Sequence, residues 1–422
     1  MRNPVKKPDA IIISGGNVLK GSVSAQGSKN ATLPILAASY LFKERVILHN
    51  VPDIADVRSF LDILHYLGVQ YTFEQGTLDM DCRNISNSRI PDTLSRRLRA
   101  SSLLLGPSLA RYGKCEIGMP GGCSIGPRPL NYHFNGFERL GATLTTTNGM
   151  IQATTEGGLK GEHTLEFQSV GATQNLIMAS VYGNETVVLK NIAKEPEIID
   201  MIEFLRAGGA KIKLFPNSAD VEIQGVERLD TVEYQIQPDR IEAGTLLVCG
   251  AITKGDVTVT NVIPEHLSAV TEKFEEMGLG VETTTNSIRV YHKGEFKGVN
   301  IKTGIYPGFP TDMQPQMVVL LTQANKSSML VEAIFNNRYQ YVDELRRLNA
   351  DIQLEGSVAN IEPTELSGCP VEGFDLRATA AMIIAGLCAK DVTKVSQLEH
   401  LHRGYECFIE KLRELGADIG EI

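Results

Sequence analysis

Cys123 lies in the run Gly121-Gly122-Cys123-Ser124-Ile125-Gly126, bracketed by Pro120 and Pro127. A stretch so rich in glycine does not build a core, so this thiol reads as a reactive group on a loop. The span between the two prolines has the make-up of a lid that could carry the thiol over a bound substrate. Asp312 opens an apolar helical pattern. A carboxylate there is ordinarily a cap, and its chemical use would be as a general base. Lys29, Arg128, Arg377 and Arg403 stand at segment starts or beside glycine and proline. The planar fork of an arginine fits carboxylate or phosphate with two hydrogen bonds, and a lysine supplies a point charge.

The elements that must position these groups are helices. Six segments are apolar nearly all round and rich in small residues: 31–42, 99–111, 171–182, 242–252, 312–323 and 376–389. Such helices belong in an interior. Polar residues gather at their starts: Lys29 and Asn30, Arg99, Gly171, Asp239 to Glu242, Asp312, and Asp375 with Arg377. Unpaired N–H groups and the positive dipole end make a helix N-terminus suited to anions.

These helices belong to an internal repeat. A second, amphipathic helical pattern closes on Leu67-Gly68-Val69, Leu140-Gly141-Ala142, Gly208-Gly209-Ala210, Met277-Gly278-Leu279, Leu348-Asn349-Ala350 and Leu415-Gly416-Ala417. The spacing is roughly 70 residues, so six units fill the chain. The central Gly or Asn of each triplet is expected to take positive φ at the helix end. A strand with period two follows, as in Ala210-Lys211-Ile212-Lys213-Leu214. The expected fold class is α/β, with six strand-helix units arranged three to a lobe. Periodicity leaves the strand order open.

Bulk properties exclude several classes. The net charge of −9 argues against a nucleic acid surface, while a few convergent cations still permit a local anion site. Seven cysteines without a CxxC pair argue against a disulfide framework and a zinc ribbon. Cys82, Cys115, Cys249, Cys369, Cys388 and Cys407 read as small buried hydrophobes. No run of about 18 apolar residues and no apolar signal core occurs, which predicts a cytoplasmic protein without a membrane partner.

The chain resembles the enolpyruvyl transferases. The resemblance runs from Ile13 to Ile422 and is carried by ordered motifs. They are Gly27-Ser28-Lys29-Asn30, Pro120-Gly121-Gly122-Cys123 through Arg128-Pro129, Ser169-Val170-Gly171-Ala172-Thr173 and Glu195-Pro196-Glu197-Ile198. Further along come Pro238-Asp239-Arg240-Ile241-Glu242, Phe309-Pro310-Thr311-Asp312-Met313-Gln314, Asp375-Leu376-Arg377-Ala378 and Arg403-Gly404-Tyr405.

The resemblance implies a two-lobed inside-out α/β barrel, with one lobe at 29–237 carrying the Cys123 loop. The other lobe is 1–28 plus 238–422, and the active site lies in the cleft between them. The implied substrates are phosphoenolpyruvate and UDP-N-acetylglucosamine, in a reaction that needs neither metal nor cofactor. Cys123 is then the acid over C3 and the residue alkylated by fosfomycin, and Asp312 the base at the sugar hydroxyl. Lys29 and Asn30 hold substrate, Arg128 and Arg403 bind phosphate or carboxylate, and Arg99 joins the nucleotide sugar site. Arg377 either joins the site or forms a structural ion pair. The uridine is assigned to Arg128, Pro129, Leu130, Asn131 and Tyr132 with Ser169, Val170 and Gly171, and Ile334 lines the sugar pocket.

Three positions depart from one branch of the family: Ala55 and Phe167 stand in place of lysines, and Asn131 in place of an aspartate. Ala55 and Phe167 suit the branch of low-GC Gram-positive bacteria. Asn131 puts nucleotide selectivity in question, because amide and carboxylate differ as partners for a uracil N–H. The rival readings are the same chemistry on shikimate 3-phosphate or another nucleoside, and a repeat protein that only binds partners.

Overall fold

The computed structural model describes residues 8–121 and 129–422. Cys123 and Arg128 therefore lie outside the described residues. The rest falls into two compact units, residues 8–26 with 238–422, and residues 27–121 with 129–237.

The described residues form six four-stranded sheets, and all six share one topology. An edge strand runs parallel to its neighbour, and the remaining pairings are antiparallel. In one, Val232–Gln235 pairs in parallel with Arg45–His49, followed by Thr77–Asp81 and Gln70–Glu74. The register places Val46 opposite Met80 and Leu48 opposite Leu78, all fully buried. Alternation along these strands sends one face inward, as the period-two pattern requires. Each unit holds three sheets, and each has its own apolar core.

The six apolar helices lie inside. In Arg240–Ile252 every residue after Arg240 is buried, and in Leu376–Cys388 burial runs from Arg377 to Leu387. These two helices and Gln314–Leu321 pack on one another. In the other unit the helices Leu105–Tyr112 and Val170–Ala179 come close because residue 106 is glycine. A Cβ there would lie 2.2 Å from the Asn175 carbonyl oxygen.

The second helix of each repeat ends as expected. Gly68, Gly141, Gly209, Gly278, Asn349 and Gly416 all have φ between 74° and 111°. Two of the apolar segments begin differently from the sequence expectation. Residues 99–104 form a 3-10 turn before the α-helix Leu105–Tyr112, and Thr311–Met313 does so before Gln314–Leu321. Pro107 and Pro315 then fall in the first turns of the two α-helices, where their missing N–H costs no intrahelical bond. The cysteine expectation holds for Cys82, Cys115 and Cys249, while Cys369 and Cys388 are half-buried. Cys407 is exposed, because it occupies the N-cap of Phe408–Glu414 with φ of 51°, off that helix's apolar face.

Candidate functional site

In the unit of residues 27–237, the Lys29–Ser39 helix is capped by Ser28, whose Oγ accepts the Ala31 N–H at 3.2 Å. Gly27 precedes it because nothing larger fits: a Cβ would lie 1.6 Å from the Asn50 carbonyl oxygen. Lys29 Nζ sits 2.6 Å from Asp56 Oδ2, and both side chains are nearly buried. Asp56 comes from the first turn of Ala55–Tyr66. Lys29 thus offers a cation already balanced by a carboxylate, and an incoming anion must compete with Asp56 for it. Asn30 is half-buried beside it.

A second cluster surrounds His133 in the Asn131–Arg139 helix. Asn175 donates from Nδ2 to His133 Nδ1 at 2.9 Å and to the Ser102 carbonyl at 3.0 Å, while its Oδ1 accepts the Gly106 N–H at 2.8 Å. This arrangement makes Nδ1 the acceptor and leaves the ring proton on Nε2. Burial, and then the charge of Arg99, push His133 down to about 3, so the ring is neutral. Gly171 packs on the ring, and a Cβ there would lie 3.2 Å from Cε1 and Nε2. His133 thereby joins two stretches expected to hold the nucleotide, 129–132 and 169–171. Tyr132 stacks on Phe167 at 6.0 Å between centroids, next to those stretches. Pro129 and Asn131 are exposed, and Leu130 is buried. Ser169 is the N-cap of Val170–Ala179, with its hydroxyl accepting the Ala172 N–H.

The other unit holds the most concentrated charge. Asp312 is not a helix cap. Its Oδ1 accepts from Arg338 Nη2 at 2.8 Å and its Oδ2 from Arg377 Nη2 at 3.0 Å. The guanidiniums are almost wholly buried, at 3% and 7% side-chain exposure, while the carboxylate keeps 29%. Burial alone would raise the Asp312 carboxyl, but the charges of Arg377 and Arg338 and their hydrogen bonds hold it well below the usual carboxylate range.

Each arginine is braced. Arg377 Nη1 donates to Tyr405 Oη at 3.0 Å, and Tyr405 Oη meets Thr245 Oγ1 at 3.1 Å. Arg338 Nη1 donates to Thr311 Oγ1 at 3.2 Å, and Thr311 donates to Glu332 Oε2 at 2.9 Å. Glu332 Oε1 also accepts the Ile334 N–H at 2.9 Å, which fixes the half-buried Ile334 beside this network. Arg403 ends the Leu398–Arg403 turn, two residues before Tyr405.

The structure brings Asp312 and Arg377 together and ties Ile334 into the same network. In the other unit it brings Arg99 and Gly171 to His133 and stacks Tyr132 on Phe167. Sequence reasoning missed Asp56, His133 and Arg338. Arg338 follows Asn336-Asn337 in a segment that reads as a solvated turn, and its burial depends on distant residues. Among the described residues, no helix is long and apolar enough to cross a membrane, and no cluster of His, Cys, Asp or Glu is arranged to hold a metal ion.

Residues 13–412 match the family described as EPSP synthase (3-phosphoshikimate 1-carboxyvinyltransferase). The chain is 45% identical over 419 residues to UDP-N-acetylglucosamine 1-carboxyvinyltransferase 1 of Staphylococcus epidermidis, in each of two strains. That similarity covers 98% of this chain and 99% of the relative. Among solved structures it is similar to the enolpyruvyl transferase NikO from Streptomyces tendae, with a TM-score of 0.89 at 22% identity, covering 97% of this chain and 98% of that one. EPSP synthase from Acinetobacter baumannii follows at a TM-score of 0.77 and 17% identity, covering 98% and 100%. At these identities the structural likenesses speak for the fold alone.

Proposed function

Because the chain belongs to the EPSP synthase (3-phosphoshikimate 1-carboxyvinyltransferase) family, we propose that it moves the enolpyruvyl group of phosphoenolpyruvate onto the 3-hydroxyl of UDP-N-acetylglucosamine. Phosphate is released, and the reaction is the first committed step of peptidoglycan precursor synthesis, carried out in the cytoplasm. The observation that carries the acceptor is the 45% identity over nearly the whole chain to relatives named for that nucleotide sugar.

The acceptor hydroxyl attacks C2 of phosphoenolpyruvate as Cys123 protonates C3, and the hydroxyl proton passes to Asp312. The Cys123 thiolate then takes a proton back from C3, the C2–O bond breaks with its electron pair leaving on phosphate, the C2–C3 double bond re-forms, and the proton on Asp312 passes to the departing phosphate or to solvent. Lys29, Arg128, Arg377 and Arg403 receive the phosphate and carboxylate charge. Arg99, Asn30, Ile334 and the 129–132 and 169–171 stretches hold the nucleotide sugar. As paired in the free protein, Asp312 is a weak base. A substrate carboxylate that drew Arg377 or Arg338 toward itself would return basicity to Asp312 when it is needed.

The test is inorganic phosphate release from phosphoenolpyruvate with UDP-N-acetylglucosamine, with shikimate 3-phosphate, or with neither. Release with the nucleotide sugar alone is expected. Release with shikimate 3-phosphate alone would overturn the acceptor, and silence with both would overturn the reading. Fosfomycin should add one adduct by intact mass, on Cys123; an adduct elsewhere would remove Cys123 from the mechanism.

A further inference from the structure

Gln26 is nearly buried, at 6% exposure, and every hydrogen-bonding group it has is engaged. Its backbone N–H donates to Glu242 Oε2 at 2.6 Å, and its carbonyl accepts the Asp239 N–H at 2.8 Å. Glu242 is fully buried and is held in turn by Lys411 Nζ at 2.6 Å. The backbone of Gln26 is thus pinned to the start of the Arg240–Ile252 helix.

From that anchor the side chain reaches across to a distant segment. Nε2 donates to the Gly404 carbonyl at 2.9 Å, and Oε1 accepts the Glu406 N–H at 2.6 Å. One planar amide therefore grips the backbone on both sides of Tyr405. It pairs donor to acceptor and acceptor to donor, and so fixes orientation as well as position. Tyr405 carries the hydroxyl that braces Arg377. The Gly404 carbonyl belongs to the residue that follows Arg403.

We propose that Gln26 is a positioning residue for Arg403: its side-chain amide fixes the Gly404–Glu406 backbone and thereby the place of the Arg403 guanidinium. The substrate met by that guanidinium, phosphoenolpyruvate, rests on the function proposed above. A long side chain magnifies small rotations of its own backbone, and a ~1 Å misplacement of a substrate-holding group can cost about 10²-fold in rate.

Gln26→Ala removes both bonds. Gln26→Glu keeps the acceptor for the Glu406 N–H and loses the donor to Gly404, which supplies a second variant close to the native size. Both should lower kcat/KM for phosphoenolpyruvate, Gln26→Ala by roughly 10- to 100-fold, with the KM for the nucleotide sugar little changed. In an Arg403→Ala background, Gln26→Ala should cost several-fold less than in wild type, because the group it positions is gone and only the hold on Tyr405 is left to lose. Two readouts need no turnover: amide exchange at Glu406 should quicken in Gln26→Ala, and the Arg403 Nε–Hε resonance, assigned through Arg403→Lys, should shift or broaden. Equal losses with and without Arg403 would overturn the proposal. So would an unchanged Arg403 resonance in Gln26→Ala. A wild-type protein inert toward phosphoenolpyruvate would sink the functional reading, while the resonance and the exchange rate would still decide the positioning.

Discussion

Asp312 is held by the same two arginines that weaken it as a base. Ionised at any ordinary pH, it accepts hydrogen bonds well and takes up a proton poorly. The pH profile of kcat/KM reports groups of the free enzyme. Wild-type protein should therefore show no acid limb from Asp312 in the ordinary carboxylate range. Removing one guanidinium raises its pKa, so the acid side of the profile should move to higher pH in an Arg338→Met variant. A profile with an unmoved acid side would mean that Arg338 does not set the basicity of Asp312. Asp312→Asn, which keeps acceptor capacity without basicity, should lower kcat by roughly 10²- to 10⁴-fold. At this scale the sequence was legible where a residue sat in a distinctive local run, as Asp312 does in Phe309-Pro310-Thr311-Asp312. Arg338 and Asp56 were not legible, because what makes them matter is burial against residues far away in the chain.

Helices join the clusters, and the Asn131–Arg139 helix does so through His133. The neutral ring is held by Asn175 from the Val170–Ala179 helix and covers Gly171 at that helix's start. Its folded pKa of about 3 lies below the ordinary 6.5. Between those values the unfolded chain binds more protons, so stability rises with pH across that window. The contribution is complete above pH ~6.5 and drains away as pH falls toward ~3, by at most about 1.4 kcal/mol for each pH step of one. His133→Asn cannot titrate and should show a flatter stability curve than wild type between pH 4 and 6.5 in urea unfolding. Curves that stay parallel would show that His133 is protonated when folded. The periodic patterns located this helix and its partner. They could not show that a histidine inside one pattern touches a glycine that begins the other, since side-chain contacts between elements depend on packing.

Across the whole molecule, the six repeats and their helix-ending Gly or Asn were readable because each repeat carries its own local pattern. Strand pairing was not readable, and residues 10–24 show why. Ala10–Ser14 lies between Val392–Ser396 and Asp418–Glu421, antiparallel to both. Lys20–Ser24 pairs in parallel with Asp256–Thr260. Two sheets of the unit that contains the C-terminus thus stay incomplete until the N-terminal strands return to them. A short apolar run such as Ala10-Ile11-Ile12-Ile13 does not announce a partner nearly 400 residues away. Ile11 and Ile13 are fully buried in that unit's core, so a hole made there should be felt at the far end of the chain. Ile13→Ala should destabilise the unit by about 2–5 kcal/mol. The loss should appear as faster amide exchange in 392–396 and 418–421, while the strands Arg45–His49 and Thr186–Lys190 of the other unit keep their protection. Exchange that quickened equally in both units would mean that the two cores unfold as one cooperative body, and that the division of the chain into units has no counterpart in its energetics.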